Sequence, residues 1–252
     1  MLRRTLCGMV AALPSPIKYR MGWLKPLYTS VLAWPRPVVQ VRTAAGAINW
    51  HIDALSTQRY IRGVHEPYMQ NSLINFLRPG AVAFDVGAHV GFHSLVCGLL
   101  VGSSGRVVAF EPDPHCRQSL QREMQANPSL PITALPYVVS DSSGKVRLHL
   151  QRSGQSRVCS EGGALVEATT LDALVGGGRI PAPDLIKIDV EGHEVAVLRG
   201  AKTILEKHRP TVLCDFNDRN TFGLVRDLLT PLGYEVSGSW PTIAVARDWP
   251  KQ

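Results

Sequence analysis

The chain has 252 residues, enough to bury one α/β core, and its composition of 45% hydrophobic and 19% charged residues excludes a disordered protein. No apolar run is long enough to cross a membrane. The net charge of +7 arises in residues 1–50, which hold seven basic side chains and no acidic one, whereas the remaining residues hold 20 of each sign. We therefore predict a basic, proline-containing extension over residues 1–50 and a charge-balanced folded domain over residues 51–252.

The position of the basic charge bears on partners and location. A nucleic-acid-binding enzyme usually carries basic patches on its folded domain, so no nucleic-acid partner is predicted. The extension is interpreted as a solvated arm or as a contact with an anionic membrane surface or an acidic partner. Residues 1–20 are interpreted as a true extension, a targeting signal or a misassigned start. The cysteines are scattered, odd in number and without a C-x-x-C pair, which predicts reduced thiols in the cytoplasm and no zinc site.

The elements follow from hydrophobic period and turn residues. A hairpin is expected around Ala45-Gly46 and a helix from Pro67, with Glu66 interpreted as its cap. Further strands are predicted at 81–86, 106–110, 132–139, 145–150, 185–190, 211–216, 233–236 and 242–246, and further helices at 91–100, 113–125, 171–175, 194–208 and 221–232. Thr170 is expected to cap the helix that follows it. Residues 151–168 are polar and contain glycines, which predicts a mobile lid or a surface loop.

This alternation predicts an α/β fold with a doubly wound, mostly parallel sheet and helices on both faces. Ligands of such sheets bind at the carboxyl ends of the strands. Five acidic residues are expected at that edge: Asp85, Glu111, Asp141, Asp189 and Asp215.

A glycine turn over residues 84–91 joins the first of these strands to a helix. Its pattern is D-x-G-x-x-x-G rather than G-x-G-x-x-G, and Asp85 would repel a pyrophosphate, which argues against a nicotinamide-dependent oxidoreductase. A cofactor with a ribose, an adenine and an ammonium group but no phosphate fits better. The turn therefore predicts S-adenosylmethionine as cofactor and a methyltransferase activity.

Each residue of this first motif has a predicted contact with the cofactor. Asp85 is expected to pair with the ammonium group, and Gly87 and Gly91 to let the backbone approach the ligand closely. Glu111, 20 residues beyond Gly91, is expected to accept hydrogen bonds from both ribose hydroxyls. Three further candidates complete the cofactor set: His89, in the turn with its side chain expected in solvent, His93, on the first helical turn, and Asp141, near the adenine or in an Asx turn.

A second motif, residues 187–194, places several charges at the end of the fourth strand. Such crowding is hard to explain structurally because like charges repel, and a cationic sulfonium would offset the repulsion. Asp189 is the first candidate for facing both the cofactor and the reacting centre. Glu191, Glu194 and His193 are the other catalytic candidates. No metal is predicted, and the less favoured alternative is a divalent ion held by Asp189, Glu191 and Asp215.

At these residues the sequence resembles the FkbM-type methyltransferase family over roughly residues 60–217. The resemblance is carried by residues 84–91, Phe110-Glu111-Pro112, Thr170-Leu171-Asp172, residues 186–194, Leu198-Arg199-Gly200-Ala201 and His65-Glu66-Pro67. It implies a class I, Rossmann-like methyltransferase fold with a seven-stranded sheet. It also implies methyl transfer from S-adenosylmethionine to a hydroxyl of a sugar, a glycan or a polyketide-like natural product. His89 departs from the family, which usually has a neutral residue there, and so does Asp215, where glutamate is usual.

Two other functions stay open at this point. An N-methyltransferase acting on protein or RNA would need a basic channel or an Asn/Asp-Pro-Pro-Tyr-like motif, and the chain has a charge-balanced body and no such motif. A module that binds the cofactor without catalysis is the more remote alternative, because Asp85, Glu111 and Asp189 are all present.

Overall fold

The computed structural model of the protein describes residues 37–52, 58–150, 156–215, 219–238 and 241–246. The strands are β1 (Val38–Thr43), β2 (Gly46–His51), β3 (Val82–Val86), β4 (Arg106–Phe110), β5 (Ile132–Leu135), β6 (Val138–Val139), β7 (Gly144–His149), β8 (Arg157–Cys159), β9 (Ala164–Thr169), β10 (Leu185–Ile188), β11 (Thr211–Cys214), β12 (Tyr234–Val236) and β13 (Thr242–Ala246). The helices are α1 (Gln58–Ile61), α2 (Pro67–Phe76), α3 (Phe92–Val101), α4 (Pro114–Ala126), α5 (Leu171–Gly176), α6 (Glu194–Arg199), α7 (Lys202–Lys207) and α8 (Arg219–Leu229), followed by a 3-10 turn (Thr230–Leu232).

Seven of these strands form one sheet in the order β12–β13–β11–β10–β3–β4–β5. β3, β4, β5, β10 and β11 are parallel, and β13 runs antiparallel to both of its neighbours. The chain continues from β3 to β4 and β5 on one side and from β10 to β11 on the other, so the strand order reverses between β3 and β10. Ligands of doubly wound folds bind at such a reversal. The predicted doubly wound fold is confirmed.

Both faces of the sheet are covered, as the apolar strand sequences require. Alternate residues of a strand point to opposite faces. Phe84 therefore belongs to the apolar cluster that includes residues of α5 to α8, whereas the adjacent Ala83 belongs to the cluster that includes residues of α2 and α3. Both side chains are fully buried. Thr170 caps α5 as predicted, since its hydroxyl accepts the N–H of Ala173 at 2.9 Å.

The predicted hairpin is confirmed as β1 and β2, and it is part of the main core. Trp50 is 1% exposed and lies against Tyr60 and Phe92, with ring centroids 5.3 and 5.7 Å away. Asn49 N–H donates to Oδ1 of Asn127, the residue that follows α4, at 2.8 Å. The predicted boundary between residues 50 and 51 therefore falls inside β2, and residues 1–36 of the predicted extension lie outside the described residues.

The predicted strand 132–139 is wrong as one element, because it divides into β5 and β6. Pro136 separates the two strands and has no N–H to continue a ladder. β5 stays in the main sheet, whereas β6 pairs with β9 in a second sheet of order β6–β9–β7–β8. The chain thus leaves one sheet for the other within a few residues.

The prediction of a mobile lid or a surface loop over residues 151–168 is also wrong for its described part, which contains two strands. β8 and β9 both pair antiparallel with β7, and Val166 packs with Val138, Leu148 and Ala168. Gly163, at φ +67°, lies where a Cβ would approach Leu148 O to 2.5 Å. Gly162 and Gly163 therefore lie in a tight connection between β8 and β9, whereas residues 151–155 lie outside the described residues.

The predicted helix 194–208 divides into α6 and α7. At the junction Gly200 lies so close to Ser140 that a Cβ would be 1.9 Å from the Ser140 carbonyl oxygen. The Asp172 carboxylate accepts the N–H groups of Thr203 and Ile204 at 2.8 and 2.9 Å, which caps the start of α7. Periodicity did not reveal this cap because Asp172 is about 30 residues away in sequence.

Within the described part of the chain, no helix combines the length and the apolar character needed to cross a membrane.

Candidate active site

A cavity lies at the carboxyl ends of β3, β4 and β10. Its walls are formed by the glycine turn after β3, the loop after β10, the second sheet, and residues that precede β3 in the chain. The polar side chains that line it are Tyr60, His65, Glu66, His89, His93, Glu111, Tyr137, Ser156, Lys187, Asp189, Glu191 and His193. Most of the predicted site residues therefore meet in one place.

The glycine turn lines the cavity, but protein atoms rather than a ligand explain why its glycines have no side chain. Gly87 has φ +79°, and a Cβ there would lie 1.8 Å from the Asp189 carbonyl oxygen. Gly91 has φ +93°, and its Cβ would lie 2.4 Å from Leu120 Cδ1. Both positions need glycine because of conformation and crowding within the protein. Gly87 lines the cavity, and its contact with a cofactor stays a prediction, whereas Gly91 does not line the cavity.

Glu111 ends β4 at the cavity wall with only 6% of its surface exposed. Its two oxygens accept the N–H groups of His89 and Asp113 at 2.7 and 2.8 Å. Burial raises the pKa of Glu111 to about 7, although these two hydrogen bonds act in the opposite direction. A carboxylate has about four lone pairs, so each oxygen can accept one more donor.

His89 departs from the expectation that its side chain lies in solvent. The residue is half-buried and lines the cavity, with Nδ1 3.4 Å from the Tyr60 hydroxyl. Its backbone is left-handed, at φ +51°, which directs its N–H to Glu111. His89 thus links the glycine turn to the chain that precedes β3.

Asp85 does not line the cavity, which is the main departure from the predicted cofactor contacts. Its side chain is fully buried, its Oδ2 accepts the Ser94 hydroxyl at 2.6 Å, and its Oδ1 lies 3.0 Å from Lys187 Nζ. Lys187 is 2% exposed and also lies 3.5 Å from Asp189 Oδ2. The charge of Asp85 is therefore matched inside the protein, and the structure does not support its predicted contact with an ammonium group.

Lys187 is a site residue for which no role was predicted from the sequence. Its Nζ also donates to the Gly87 carbonyl oxygen at 3.2 Å, so one ammonium group joins β3, the glycine turn and Asp189. Burial would lower the pKa of Lys187, but the carboxylates of Asp85 and Asp189 outweigh it and raise the pKa above its usual value. The sequence feature that could have predicted a role for Lys187 is the presence of a lysine within the otherwise apolar strand Leu-Ile-Lys-Ile.

Three of the catalytic candidates meet at the cavity: Asp189, Glu191 and His193. Burial raises the pKa of Asp189 to about 6, against the effect of Lys187, and the nearby Glu66 adds to the increase. His193 is positioned by Ser140, with its Nε2 3.0 Å from the serine Oγ. Burial lowers the pKa of His193, so its neutral form is favoured.

Besides Asp85 and Gly91, two predicted residues lie outside the cavity lining, Glu194 and Asp141. Glu194 is 1% exposed, and its Oε1 accepts the Gly192 N–H at 2.9 Å. It orders the loop that carries Glu191 and His193 rather than facing a substrate, so its predicted catalytic role is not supported. Asp141 is exposed and accepts the Ser142 hydroxyl at 3.1 Å, as its alternative interpretation as a turn residue implied.

Glu66 belongs to the cavity, contrary to its interpretation as a helix cap. It occupies the N-cap position of α2 with φ +44°, but its side chain makes no cap hydrogen bond. Its carboxylate instead lies 3.1 Å from His65 Nε2 and 3.7 Å from His93 Nε2. Burial together with the Lys187 charge lowers the pKa of His93 to about 3, so His93 is neutral. The sequence feature that could have indicated this position of Glu66 is the tripeptide His65-Glu66-Pro67.

Glu66 also changes the candidate ligands for a cation. Within the residues that the structure describes, it joins His65 and His93 in one group and Asp189 and Asp215 in another. The alternative trio expected from the sequence had Glu191 in place of Glu66. The two aspartates do come together, and Glu66, more than 120 residues earlier in the sequence than either, lies beside them.

Comparison with known proteins relates the chain to one family. Residues 85–236 match the methyltransferase FkbM domain. Hexuronic acid methyltransferase AglP of Haloferax volcanii is 33% identical over 128 residues, which are 50% of this chain and 52% of that protein. The chain thus spans about half the length of this curated relative.

The solved structures that are similar to this chain include two methyltransferases. Methyltransferase FkbM from Methylobacillus flagellatus KT has a TM-score of 0.48 and 18% identity over 75% of this chain and 55% of that chain. A SAM-dependent O-methyltransferase from Thermotoga maritima has a TM-score of 0.47 and 12% identity over 90% of this chain and 83% of that chain. Because the matched domain covers more than half of the sequence, the protein belongs to the FkbM methyltransferase family.

Proposed function

We propose that the protein transfers a methyl group from S-adenosylmethionine to a hydroxyl oxygen of a sugar or glycan. The observation that carries this proposal is Glu111, a buried carboxylate that reaches the cavity beside the glycine turn and keeps free acceptor capacity. When bound, S-adenosylmethionine supplies an electrophilic methyl group on a positively charged sulfur.

The cavity residues fit this cofactor. Glu111 would bind the ribose hydroxyls through the lone pairs that His89 and Asp113 leave free. Phe110, Val138 and other apolar side chains line the cavity nearby and suit an adenine ring. Among the described lining residues, carboxylates outnumber lysine and arginine, which favours a cationic ligand.

Asp189 is the residue proposed to receive the acceptor's proton. It lines the cavity, its side chain is 31% exposed, and its pKa of about 6 is close to physiological pH, as a general base requires. Lys187 Nζ lies 3.5 Å from Asp189 Oδ2 and forms an ion pair with this carboxylate. Glu191 and His193 lie on the same loop and are proposed to orient the acceptor.

A sugar acceptor is favoured over the other candidates by the relative that acts on a hexuronic acid. A polyketide-like hydroxyl, also expected from the sequence, has no comparable support. Methylation of a nitrogen in protein or RNA has no feature of the cavity in its favour.

Calorimetry with S-adenosylhomocysteine tests the cofactor site. Glu111→Ala should weaken binding by about 1.5–3 kcal/mol, because a charged acceptor of two hydroxyl donors is lost. Unchanged affinity would remove Glu111 from the site. Absence of binding by the wild-type protein would overturn the proposed function. A panel of uronic and neutral sugars, monitored by mass for a methyl gain, then tests the acceptor.

A further inference from the structure

The cluster formed by His65, Glu66 and His93 lies on the cavity wall and has no part in the proposed methyl transfer. We propose that these three side chains bind a divalent transition-metal ion, with two imidazole nitrogens and one carboxylate as ligands. Imidazole and carboxylate ligands suit Zn²⁺, Co²⁺ and Mn²⁺. No metal was predicted from the sequence, and the alternative trio considered there was a different one.

The separations between the three side chains are those of ligands around one ion. One ligand atom from each residue lies within 4.8 Å of the other two. Glu66 Oε1 is 3.1 Å from His65 Nε2, and Glu66 Oε2 is 3.7 Å from His93 Nε2. Two ligands about 2.1 Å from a tetrahedral ion lie about 3.4 Å apart. The site therefore has the spacing of a metal centre.

Unpartnered buried atoms within the cluster point to a missing cation. His93 is 5% exposed, and neither its Nε2 nor Glu66 Oε2 has a hydrogen-bond partner among the described residues. Their separation of 3.7 Å is too long for a hydrogen bond. Buried polar atoms without partners are rare because they lose their hydration without compensation. A cation between the nitrogen and the carboxylate oxygen would satisfy both.

The surrounding structure holds the ligands in place. Glu66 keeps a left-handed backbone at φ +44°, an unfavourable conformation that is often retained at functional sites. Gln70 Nε2 donates to the His65 carbonyl oxygen at 2.6 Å. The His65 ring packs on Tyr60 and on Phe92, with centroids 4.3 and 5.5 Å away. The ligands are thus preorganised.

Charge and access also favour a cation at this position. The carboxylates of Asp189 and Asp215 also lie near Glu66, since one ligand atom from each of the three residues is within 4.8 Å of the other two. Lys187 opposes a second positive charge, but its ammonium group is paired with Asp85 and Asp189. All three proposed ligands line the cavity, so an ion could enter from solvent and contact an acceptor oxygen.

The test is metal binding by the full chain after dialysis against a chelator. Co²⁺ is added while the visible absorption is followed, and Zn²⁺ is titrated by calorimetry. We expect one equivalent of each ion to bind. Glu66→Gln, which keeps the shape of the side chain, and His65→Gln should each weaken binding at least about tenfold. A wild-type protein that takes up no stoichiometric ion would overturn the proposal.

His51 and Glu123 provide a matched control, because they form a similar pair outside the cavity, with Nδ1 3.3 Å from Oε2. His51→Gln should bind Co²⁺ like the wild type, and equal losses in His51→Gln and His65→Gln would refute the assignment. If Glu66→Gln fails to fold, His65→Gln decides alone. S-adenosylhomocysteine binding is measured in parallel: its absence in the wild type overturns the proposed function, whereas absent metal binding overturns only this inference.

Discussion

The backbone carbonyl of Asp189 occupies the space that a side chain on Gly87 would need, since a Cβ there would lie 1.8 Å from the carbonyl oxygen. The two residues follow neighbouring parallel strands, β3 and β10. The turn proposed to face the cofactor and the residue proposed as base therefore meet backbone to backbone. A shift of one must move the other.

Gly87→Ala should destabilise the protein by several kcal/mol and abolish S-adenosylhomocysteine binding, because the added methyl group clashes with a backbone atom. Urea denaturation and calorimetry measure the two effects. Gly178→Ala is the matched control: Gly178 also has a positive φ, +67°, but nothing lies within 4 Å of the position that an added methyl group would take. It should lose only about 1–2 kcal/mol, the cost of the left-handed conformation. Equal losses would show that crowding at Gly87 is unimportant.

Lys187→Met should lower the free energy of unfolding by about 3–5 kcal/mol, because it leaves the buried carboxylate of Asp85 without its counter-charge. Adding Asp85→Asn should recover part of this loss, so the double variant loses less than the sum of the single variants. Urea denaturation of the four proteins gives the coupling energy. Lys145→Met, which breaks an exposed pair with Glu167, should change stability by less than about 1 kcal/mol. Strict additivity at Lys187 and Asp85 would contradict the proposed pairing.

The affinity for S-adenosylhomocysteine should rise with pH between about 6 and 8. Glu111 has a raised pKa of about 7, and its ionised form is the better acceptor for ribose hydroxyls, so binding should lower this pKa and release protons. Calorimetry in buffers of different ionisation enthalpy measures the release. Glu111→Gln should bind more weakly and without this pH dependence, and a wild-type affinity that stays constant across the range would argue against the role of Glu111.

The raised pKa of Glu111 also predicts the direction in which the stability of the ligand-free protein changes with pH. The folded state retains a proton on Glu111 that the unfolded chain releases near pH 4.5, so this residue's contribution to stability is present at low pH and falls as pH rises towards 7. Denaturation midpoints of wild type and Glu111→Gln should therefore move apart over that interval. Parallel curves would contradict the raised pKa.

Asp189→Asn should keep the fold and lose turnover about 10²–10⁴-fold, because an amide cannot take the acceptor's proton. In the wild type, kcat should fall as pH drops below about 6, where Asp189 becomes protonated. Methyl transfer to an accepted sugar measures both effects. Asp141→Asn, an exposed change outside the cavity lining, should behave as the wild type. Full activity of the Asp189 variant would refute its assignment as base.

Trp50→Ala should destabilise the protein by about 3–5 kcal/mol, because the indole is 1% exposed and packs on Tyr60 and Phe92. Val38→Ala, in the same hairpin but 42% exposed, should have little effect. Thermal or urea denaturation compares the two variants. A small loss at Trp50 would mean that the hairpin is an appendage rather than part of the core.

Local patterns predicted the features that depend on local interactions. The glycine turn, the position of Glu111 at a strand end and the hairpin follow from turn residues and from strand period, and the family resemblance is confirmed. Pro136 could have predicted the break in the strand. The sheet that the chain joins after the break depends on the pairing of β6 with β9, some 30 residues later. Such pairings are not contained in a single segment.

The site was less predictable because its charges are matched across long sequence distances. Asp85 was expected to face a ligand, yet Lys187, about 100 residues later, neutralises it. Glu194 was grouped with Glu191 and His193, which line the cavity, but its own side chain is buried and accepts the Gly192 N–H. Glu66 was assigned a local capping role although its contacts with His65 and His93 are made only in the folded chain.

Tyr60, His65 and Glu66 contribute one wall of the cavity, yet they precede residue 85, where the shared methyltransferase domain begins. The cavity is therefore completed by chain that lies outside the matched domain, and a fragment that begins at residue 85 would lack this wall.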